Sequence, residues 1–424
     1  MSNLSSFTAT KKITSDTTYY ISTGGSDSTG DGSSGNPWAT PQKALDYLKD
    51  KWIANDATIT IDLADGTYTM TSAIEMKHPC GKNIRLIGNE TAATSRAVGS
   101  VGVTGSDDYV EVNGADYTAD YPADSYIRIT DNTAAVTNNG AYKVKSVSFT
   151  GGNTRIVLNG GVLGDNADNT GNVENLPWSH KVKLTWADSS TNGVLVQNGS
   201  TFGLINGVRI KGDGAHGVGI YASEKSVVNC GTQIVVDSFL HGIYSNTGSY
   251  ILAQYAISCY NASVGMFAHN KGSVVASSSV ASNNNYGYDA YDSSFIYIDL
   301  STASNNTEDG IRARYNTYID ADYIVANKNG SDGIYCATKS YVNALSAAAN
   351  ANGERGFYVL YNSFLYAIGA EADNNTYGFR ARFDSFINAN TATANDNSVA
   401  NFSPATTNDN DPTFANYGSW IYST

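Results

Sequence analysis

From about residue 193 to residue 400, apolar and polar residues alternate in runs of a few residues, and turns rich in Asn, Asp, Gly and Ser break the runs. The segment GIYCATKSYVNALSAAANAN from Gly333 shows the unit: Gly, apolar, any, small, three variable residues, Ser or Thr, aromatic, aliphatic, any, small, then an Asn-rich turn. Copies open at Gly193, Gly219, Gly242, Gly265, Gly287, Gly310, Gly333, Gly356 and Gly378, with spacings of 22 to 26 residues. The Ser or Thr recurs at Ser226, Ser249, Ser294, Thr317, Ser340, Ser363 and Ser385. The late Asn recurs at Asn261, Asn306, Asn329, Asn352, Asn375 and Asn397. The copy from Gly265 reads as carrying a one-residue insertion before Ser273, which leaves its Asn open between Asn284 and Asn285. A period of two rather than 3.6 makes each copy a coil of short strands, and the unit is too short for a propeller blade. Asn accepts the left-handed backbone of tight corners, and Asn side chains stacked coil on coil share their amide hydrogen bonds. The pattern therefore predicts an all-β parallel β-helix. At ~4.8 Å per coil, nine copies make a rod on the order of 40 Å long. Ala313, Cys336 and Ala381, beside Ile243, Ile311 and Ile334, are its expected inward residues.

Before the repeat, TPQKALDYLKDKWI from Thr40 reads as a helix capped by Thr40, with Pro41 in its first turn, placed to plug the open end of the solenoid. ATITIDLADGTY, residues 57–68, reads as a first strand and turn. Longer strands, YIRIT, YKVKSVSF and TRIVLN, interrupt the rhythm as a small inserted β module. The expected division is an N-terminal arm over 1–18, the β-helix start with its capping helix over 19–103, the module over 104–175, the main coils over 176–402 and a C-terminal cap over 403–424. In the cap, Trp420 and Tyr422 sit on a short final strand.

Composition narrows the function. The chain has 424 residues, only 15% of them charged, with 41 Gly and 29 Tyr, which fits neither a disordered chain nor a helical bundle. A net charge of −13 repels phosphate backbones and excludes nucleic acid as the expected partner. Cys80, Cys230, Cys259 and Cys336 show no CxxC spacing and read as buried thiols. The start of the chain reads as lacking a signal peptide, and no apolar run approaches a membrane span. His78, His180, His216, His241 and His269 show no zinc-ligand spacing, and no GxSxG occurs.

Equal positions in neighbouring copies become neighbours in space, so outward residues form ladders. Two positions after each Gly the ladder reads Tyr221, Tyr244, Phe267, Asp289, Arg312, Tyr335, Tyr358 and Arg380. Four positions after, it reads Ser223, Asn246, His269, Tyr291, Arg314, Ala337, Leu360 and Arg382. Aromatic shelves at Tyr244, Phe267, Tyr291, Tyr335 and Tyr358 suit the apolar faces of sugar rings, and Arg314 suits an acidic group. His269, Asp289 and Arg312 are candidate catalytic residues, since a lyase needs a base and an acid at a uronic-acid carbon. The competing reading makes Asp289 and Arg312 an ion pair on a solvated face. A second candidate pair is Asp299 and Asp322, with Asp320 and Tyr297 nearby. Carboxylates one coil apart approach the separation of a retaining glycosidase, and solvated surface is the alternative. No cofactor is expected; Ca²⁺ is the one ion such carboxylates could hold, and no dense DxDxDG loop supports it. A third ladder, Tyr250, Phe295, Tyr318, Tyr341, Phe364 and Phe386, is an apolar stripe suited to an oligomer interface, with a sugar track or an internal stack as rivals.

YYISTGGSDSTGDGSSGNPWATPQKALDYL, Tyr19 to Leu48, resembles the opening of pectate-lyase-like right-handed β-helix proteins, in which a strand, a Gly/Asp/Ser loop and a capping helix precede the coils. The segments GADYTADYPADSYIRIT and GAYKVKSVSFTGGNTRIVL resemble a small β module of bacteriophage tail and other virion proteins. The resemblance implies a right-handed single-stranded β-helix of the tailspike or tail-fibre type. It also implies a virion protein made in the host cytoplasm, a homotrimer attached to other tail proteins through its N-terminus, and bacterial or algal surface polysaccharide as partner. Cleavage by a lyase or glycoside hydrolase and a purely structural role remain the alternatives, because no catalytic motif of the family is matched.

Overall fold

In a computed structural model the chain is described over residues 11–104, 106–130, 138–160, 163, 171–187, 191–214, 217–403 and 419–423. The arm as far as residue 10, His216 and most of the C-terminal cap lie outside these residues. Three parallel sheets run the length of a β-helix: one of thirteen strands, one of eleven, and one of five that continues as single bridges from Ile257 through Val280, Thr302, Val325, Ala348 and Glu371 to Thr393.

The copy from Gly287 shows how the sequence makes a coil. Tyr286–Tyr291 lies in the eleven-stranded sheet. Asp292 and Ser293, at φ 55° and 57°, turn the corner into Phe295–Tyr297 of the thirteen-stranded sheet. Leu300, at φ 57°, and Asn305, at φ 59°, bracket the bridge at Thr302. Short strands with left-handed corners suit sequences whose apolar runs never exceed a few residues.

The last corner carries a buried ladder of Asn side chains. Asn261, Asn284, Asn306, Asn329, Asn352 and Asn375 are all at most 3% exposed. Asn306 Nδ2 donates to Asn329 Oδ1 at 3.0 Å and Asn329 Nδ2 donates to Asn352 Oδ1 at 3.0 Å, while each Oδ1 also accepts from the backbone N–H one coil earlier. The ladder settles Asn284, not Asn285, as the member from the Gly265 copy. It also divides two jobs that the sequence pattern joins. The left-handed residue is the one before each ladder Asn, namely Tyr260, Asn283, Asn305, Lys328, Ala351, Asn374 and Asp396, so the Asn is chosen for its amide. The repeat glycines face the ladder. A Cβ on Gly310 would stand 2.7 Å from Asn329 Nδ2 and from the carbonyl oxygens of Ala303 and Gly333, so the requirement there is space.

The expected insertion before Ser273 is absent. Ser273 pairs with Tyr250 and Phe295, and Gly272 takes the Ser position, where a Cβ would lie 2.3 Å from the Ser245 carbonyl oxygen. The predicted inward residues Ile243, Ile311, Ile334, Ala313, Cys336 and Ala381 are buried, as are all four thiols.

The capping helix covers Pro41–Leu48, with Thr40 Oγ1 accepting from Lys43 N at 3.3 Å, and buries Ala44, Leu45 and Leu48 in the core. It stops earlier than the sequence suggests. Lys51–Ile53 is a strand paired with Lys11–Ile13, and the β-helix begins at Thr17–Ile21, ahead of residue 19. The inserted module is a seven-stranded antiparallel sheet whose first strand is Ser95–Ala97, so it also starts before residue 104. That edge strand is short and polar and carries little periodic signal.

The module packs on the outside of the five-stranded sheet, where Tyr126, Ala141, Leu176 and Trp178 meet Val235, Ile257 and Val280. At the centre of this contact Arg209 and Asp237, both fully buried, form a bidentate pair at 2.8 and 2.6 Å. Asp124 of the module joins Arg209 at 3.1 Å and Lys211 at 3.0 Å. With this face covered, the outer faces of the other two sheets are left for contacts with a ligand or a partner.

Candidate functional site

The strand register reproduces the predicted ladders of the eleven-stranded sheet. Tyr221, Tyr244, Phe267, Asp289, Arg312, Tyr335, Tyr358 and Arg380 pair in succession, and so do Asn246, His269, Tyr291, Arg314, Ala337, Leu360 and Arg382. At its N-terminal end the face is a run of rings. Tyr221 and Tyr244 have centroids 5.1 Å apart, Tyr244 and Phe267 4.6 Å, and Phe267 and His269 5.6 Å. The Tyr244 hydroxyl and His269 Nδ1 are 2.9 Å apart.

The charges follow directly. Asp289 is 1% exposed, and its Oδ2 accepts from Arg312 at 2.6 Å and Arg314 at 3.0 Å. The ion pair of the competing reading therefore exists, but it is buried rather than solvated. The Arg312 guanidinium lies 3.4 Å from the centroid of Tyr286, and that of Arg314 lies 4.8 Å from Tyr291, so rings shield the pair from water. Asp289 Oδ1 and the Nε atoms of Arg312 and Arg314 have no hydrogen-bond partner among the described residues. Arg312 and His269 are thus each engaged by another side chain.

A third outward ladder, one position before each Gly, escapes the sequence reading. It contributes His241, Tyr286, Asp309, Asp332 and Arg355. Its signal was available as the residue preceding each repeat glycine. His241 packs against Tyr244 and Phe267, and burial pushes its imidazole down to about 4, so it is neutral at physiological pH. Asp309 and Asp332 are buried one coil apart. Asp309 Oδ1 accepts from Asp332 N at 3.1 Å, and Asp332 Oδ1 accepts from Arg355 Nε at 2.6 Å. Burial holds both carboxyls above the ordinary carboxylate range, and the charge of Asp309 raises Asp332 further.

A carboxyl with a raised folded-state value contributes its stability fully at acid pH, below the unfolded value, and loses it as the pH climbs through the folded value. Asp309→Asn keeps the acceptor for Asp332 N and removes one charge. It is expected to melt higher than the parent at mildly alkaline pH, by ~1 kcal/mol, with no gain at acid pH. Equal melting shifts at both pH values would contradict the coupling.

On the opposite edge, Asp299, Asp320 and Asp322 bring one carboxylate oxygen each within 4.8 Å of one another, all half-buried. Burial, then the charge of Asp299, holds Asp322 above its ordinary value, and burial is also the first cause for Asp320. A hydrogen bond to Asp299 raises Tyr297. The same carboxylates also serve the corner: Asp299 Oδ1 accepts from Asp322 N at 3.1 Å and Asp322 Oδ1 from Leu345 N at 2.9 Å. Three hard oxygens of this kind suit Ca²⁺ in chemistry.

The aromatic stripe on the thirteen-stranded sheet points outward, because the aliphatic after each ring is buried; the internal-stack reading falls away. Phe295, Tyr318, Tyr341, Phe364 and Phe386 stack face to face at 5.0 to 5.5 Å, and Tyr250 joins the same column through Ser273.

No family profile and no curated protein sequence matches the chain. Among solved structures, the A-module of the Azotobacter vinelandii mannuronan C-5 epimerase AlgE4 is similar at a TM-score of 0.42 and 10% identity, over 86% of this chain and 90% of that one. A glycoside hydrolase is similar at 0.37 and 10%, over 91% and 96%. The tailspike protein gp49 from Pseudomonas phage LKA1 is similar at 0.32 and 12%, over 85% and 76%. These likenesses concern the path of the chain, a parallel β-helix, and not its chemistry.

Proposed function

We propose that the chain is a tail-associated virion protein that binds bacterial or algal surface polysaccharide on the outer face of its eleven-stranded sheet. The observation that carries this reading is the continuous run Tyr221, Tyr244, Phe267 and His269, which leads onto the shielded charges of Asp289, Arg312 and Arg314. Flat rings spaced by the coil repeat offer stacking surfaces at the rise of an extended polymer, and polar groups at their edge meet hydroxyls. Tyr291, Tyr335 and Tyr358 extend the platform toward the C-terminal coils.

Cleavage is the second reading. For a hydrolase, the juxtaposition of Asp299 and Asp322, with burial holding the proton on Asp322 to higher pH than usual, supplies a proton donor beside a carboxylate. For a lyase, Arg312 and His269 would supply charge and base. Incubation with purified surface polysaccharides separates the readings. New reducing ends mean hydrolysis, new ultraviolet absorbance from an unsaturated uronate means elimination, and binding without change in the polymer means an adhesin. Full cleavage by an Asp299→Asn, Asp322→Asn variant would eliminate that pair.

The stripe on the thirteen-stranded sheet is assigned to the contact between subunits of a homotrimer, where three equal apolar columns are hidden around one axis. Mass photometry should show a single trimeric species; a monomer would remove this assignment.

A further inference from the structure

Five arginines border the ring platform or its C-terminal extension, and they are not equivalent. Arg312 and Arg314 share the single carboxylate of Asp289, and Arg355 is held by Asp332 and Glu354. Arg209 belongs to the module contact. Arg380 and Arg382, by contrast, have no carboxylate partner among the described residues. The Arg380 guanidinium lies 4.2 Å from the Tyr377 ring centroid and 5.9 Å from that of Tyr358, its Nε is buried without a partner, and Arg382 lies 4.8 Å from Phe383. Rings thus hold two cations side by side on a chain whose net charge is −13.

We infer that the polysaccharide is anionic, and that Arg380 and Arg382 clamp an acidic group at the C-terminal end of the face while Arg312 and Arg314, one charge in excess over Asp289, take another. This inference rests on the binding face proposed above and names its ligand class. The register fixes the distance. Arg312 pairs with Tyr335, Tyr335 with Tyr358 and Tyr358 with Arg380; Arg314 reaches Arg382 through Ala337 and Leu360. Three coils at ~4.8 Å put the two cation pairs ~14 Å apart. Between them Tyr335, Tyr358, Ala337 and Leu360 make an apolar floor, on which the guanidinium of Arg355, 3.9 Å from the Tyr358 ring centroid, is already paired with Asp332. A polymer that presents acidic groups separated by a few sugar rings fits this order of cation, ring face and cation. Paired planar guanidinium groups match carboxylates through two parallel hydrogen bonds, which a neutral sugar does not offer.

The test measures binding of the full chain to polygalacturonate, hyaluronate and neutral dextran by isothermal titration calorimetry, together with size-graded oligogalacturonates. The wild type is expected to prefer the acidic polymers and to weaken as salt is raised. Arg380→Gln with Arg382→Gln should weaken polygalacturonate binding about tenfold, the loss of one charge-assisted contact. Oligomers too short to reach both pairs should bind weakly, and the variant should lose the advantage that longer oligomers have over short ones. Melting curves check that the variant is folded, and the salt dependence of the wild type stands independently of any variant. Preference for dextran, or uronide binding that ignores both salt and the substitution, overturns the anionic clamp and leaves the binding face intact. Failure to bind any of the three polymers counts against both.

Discussion

Asn329→Ala is expected to destabilise the fold by about 3 kcal/mol in urea denaturation, one of the two largest effects of any single substitution in the coils. Asn329 is 2% exposed, and its Oδ1 accepts from both the backbone N and the Nδ2 of Asn306 at 3.0 Å. Alanine removes that acceptor where water has no access, leaving the Asn306 backbone donor unpaired, and the lost volume adds a small cavity. Asn397, at the end of the ladder and half-buried, accepts from Asn375 N at 2.9 Å but, among the described residues, from no side-chain amide. The partners of its own Nδ2, Ala372 O and Asn401 Oδ1, are nearer water, so Asn397→Ala should cost about 1 kcal/mol. Similar costs at both sites would mean that the ladder does not act through buried amide pairing. Asn329→Asp should be no better than alanine, because it keeps the acceptor but buries a charge against Asn352 Oδ1.

Arg209→Met is expected to cost about 3–5 kcal/mol, because it strands a buried carboxylate. Asp237 is 0% exposed and receives both of its short hydrogen bonds, 2.8 and 2.6 Å, from Arg209; the nearest other cation is Lys143 at 3.8 Å. The double variant Arg209→Met, Asp237→Leu should recover most of the loss, since well-packed apolar residues replace such pairs at little net cost. Because Arg209 also reaches Asp124 of the inserted module, at 3.1 Å, Arg209→Met should also expose the module to limited proteolysis before the coils unfold. A double variant as unstable as the single one would show that the loss comes from the missing contact of Arg209 with Asp124, rather than from the stranded charge of Asp237.

Much of the coil architecture is legible in the sequence, because a solenoid translates sequence period directly into contact. Equal positions in successive copies pair, so Tyr244 beside Phe267 and Asp289 beside Arg312 follow from the glycine spacing alone. What the period does not carry is depth. Asp289 reads as a surface acid and is in fact 1% exposed, because the side chains of Arg312, Arg314 and Tyr286 fold over it. The dyad of Asp309 and Asp332 lies one position before the repeat glycine, three before the nearer of the two ladders that the pattern singles out. The early strands Lys11–Ile13 and Lys51–Ile53 were hidden for a different reason. They are three residues long, and their pairing spans the helix between them, so no local periodicity marks them.

The central claim is that polysaccharide is held by the eleven-stranded face and not by the aromatic stripe. The most direct measurement compares, on one acidic surface polysaccharide, the affinity of the wild type with that of Tyr244→Ala, Phe267→Ala and of Tyr341→Ala, Phe364→Ala. The first pair should weaken binding by at least about tenfold, as the loss of two stacked rings implies, while the second leaves the affinity per subunit unchanged. Unchanged binding in the Tyr244, Phe267 variant, with loss in the Tyr341, Phe364 variant, would contradict the account and move the ligand to the thirteen-stranded sheet.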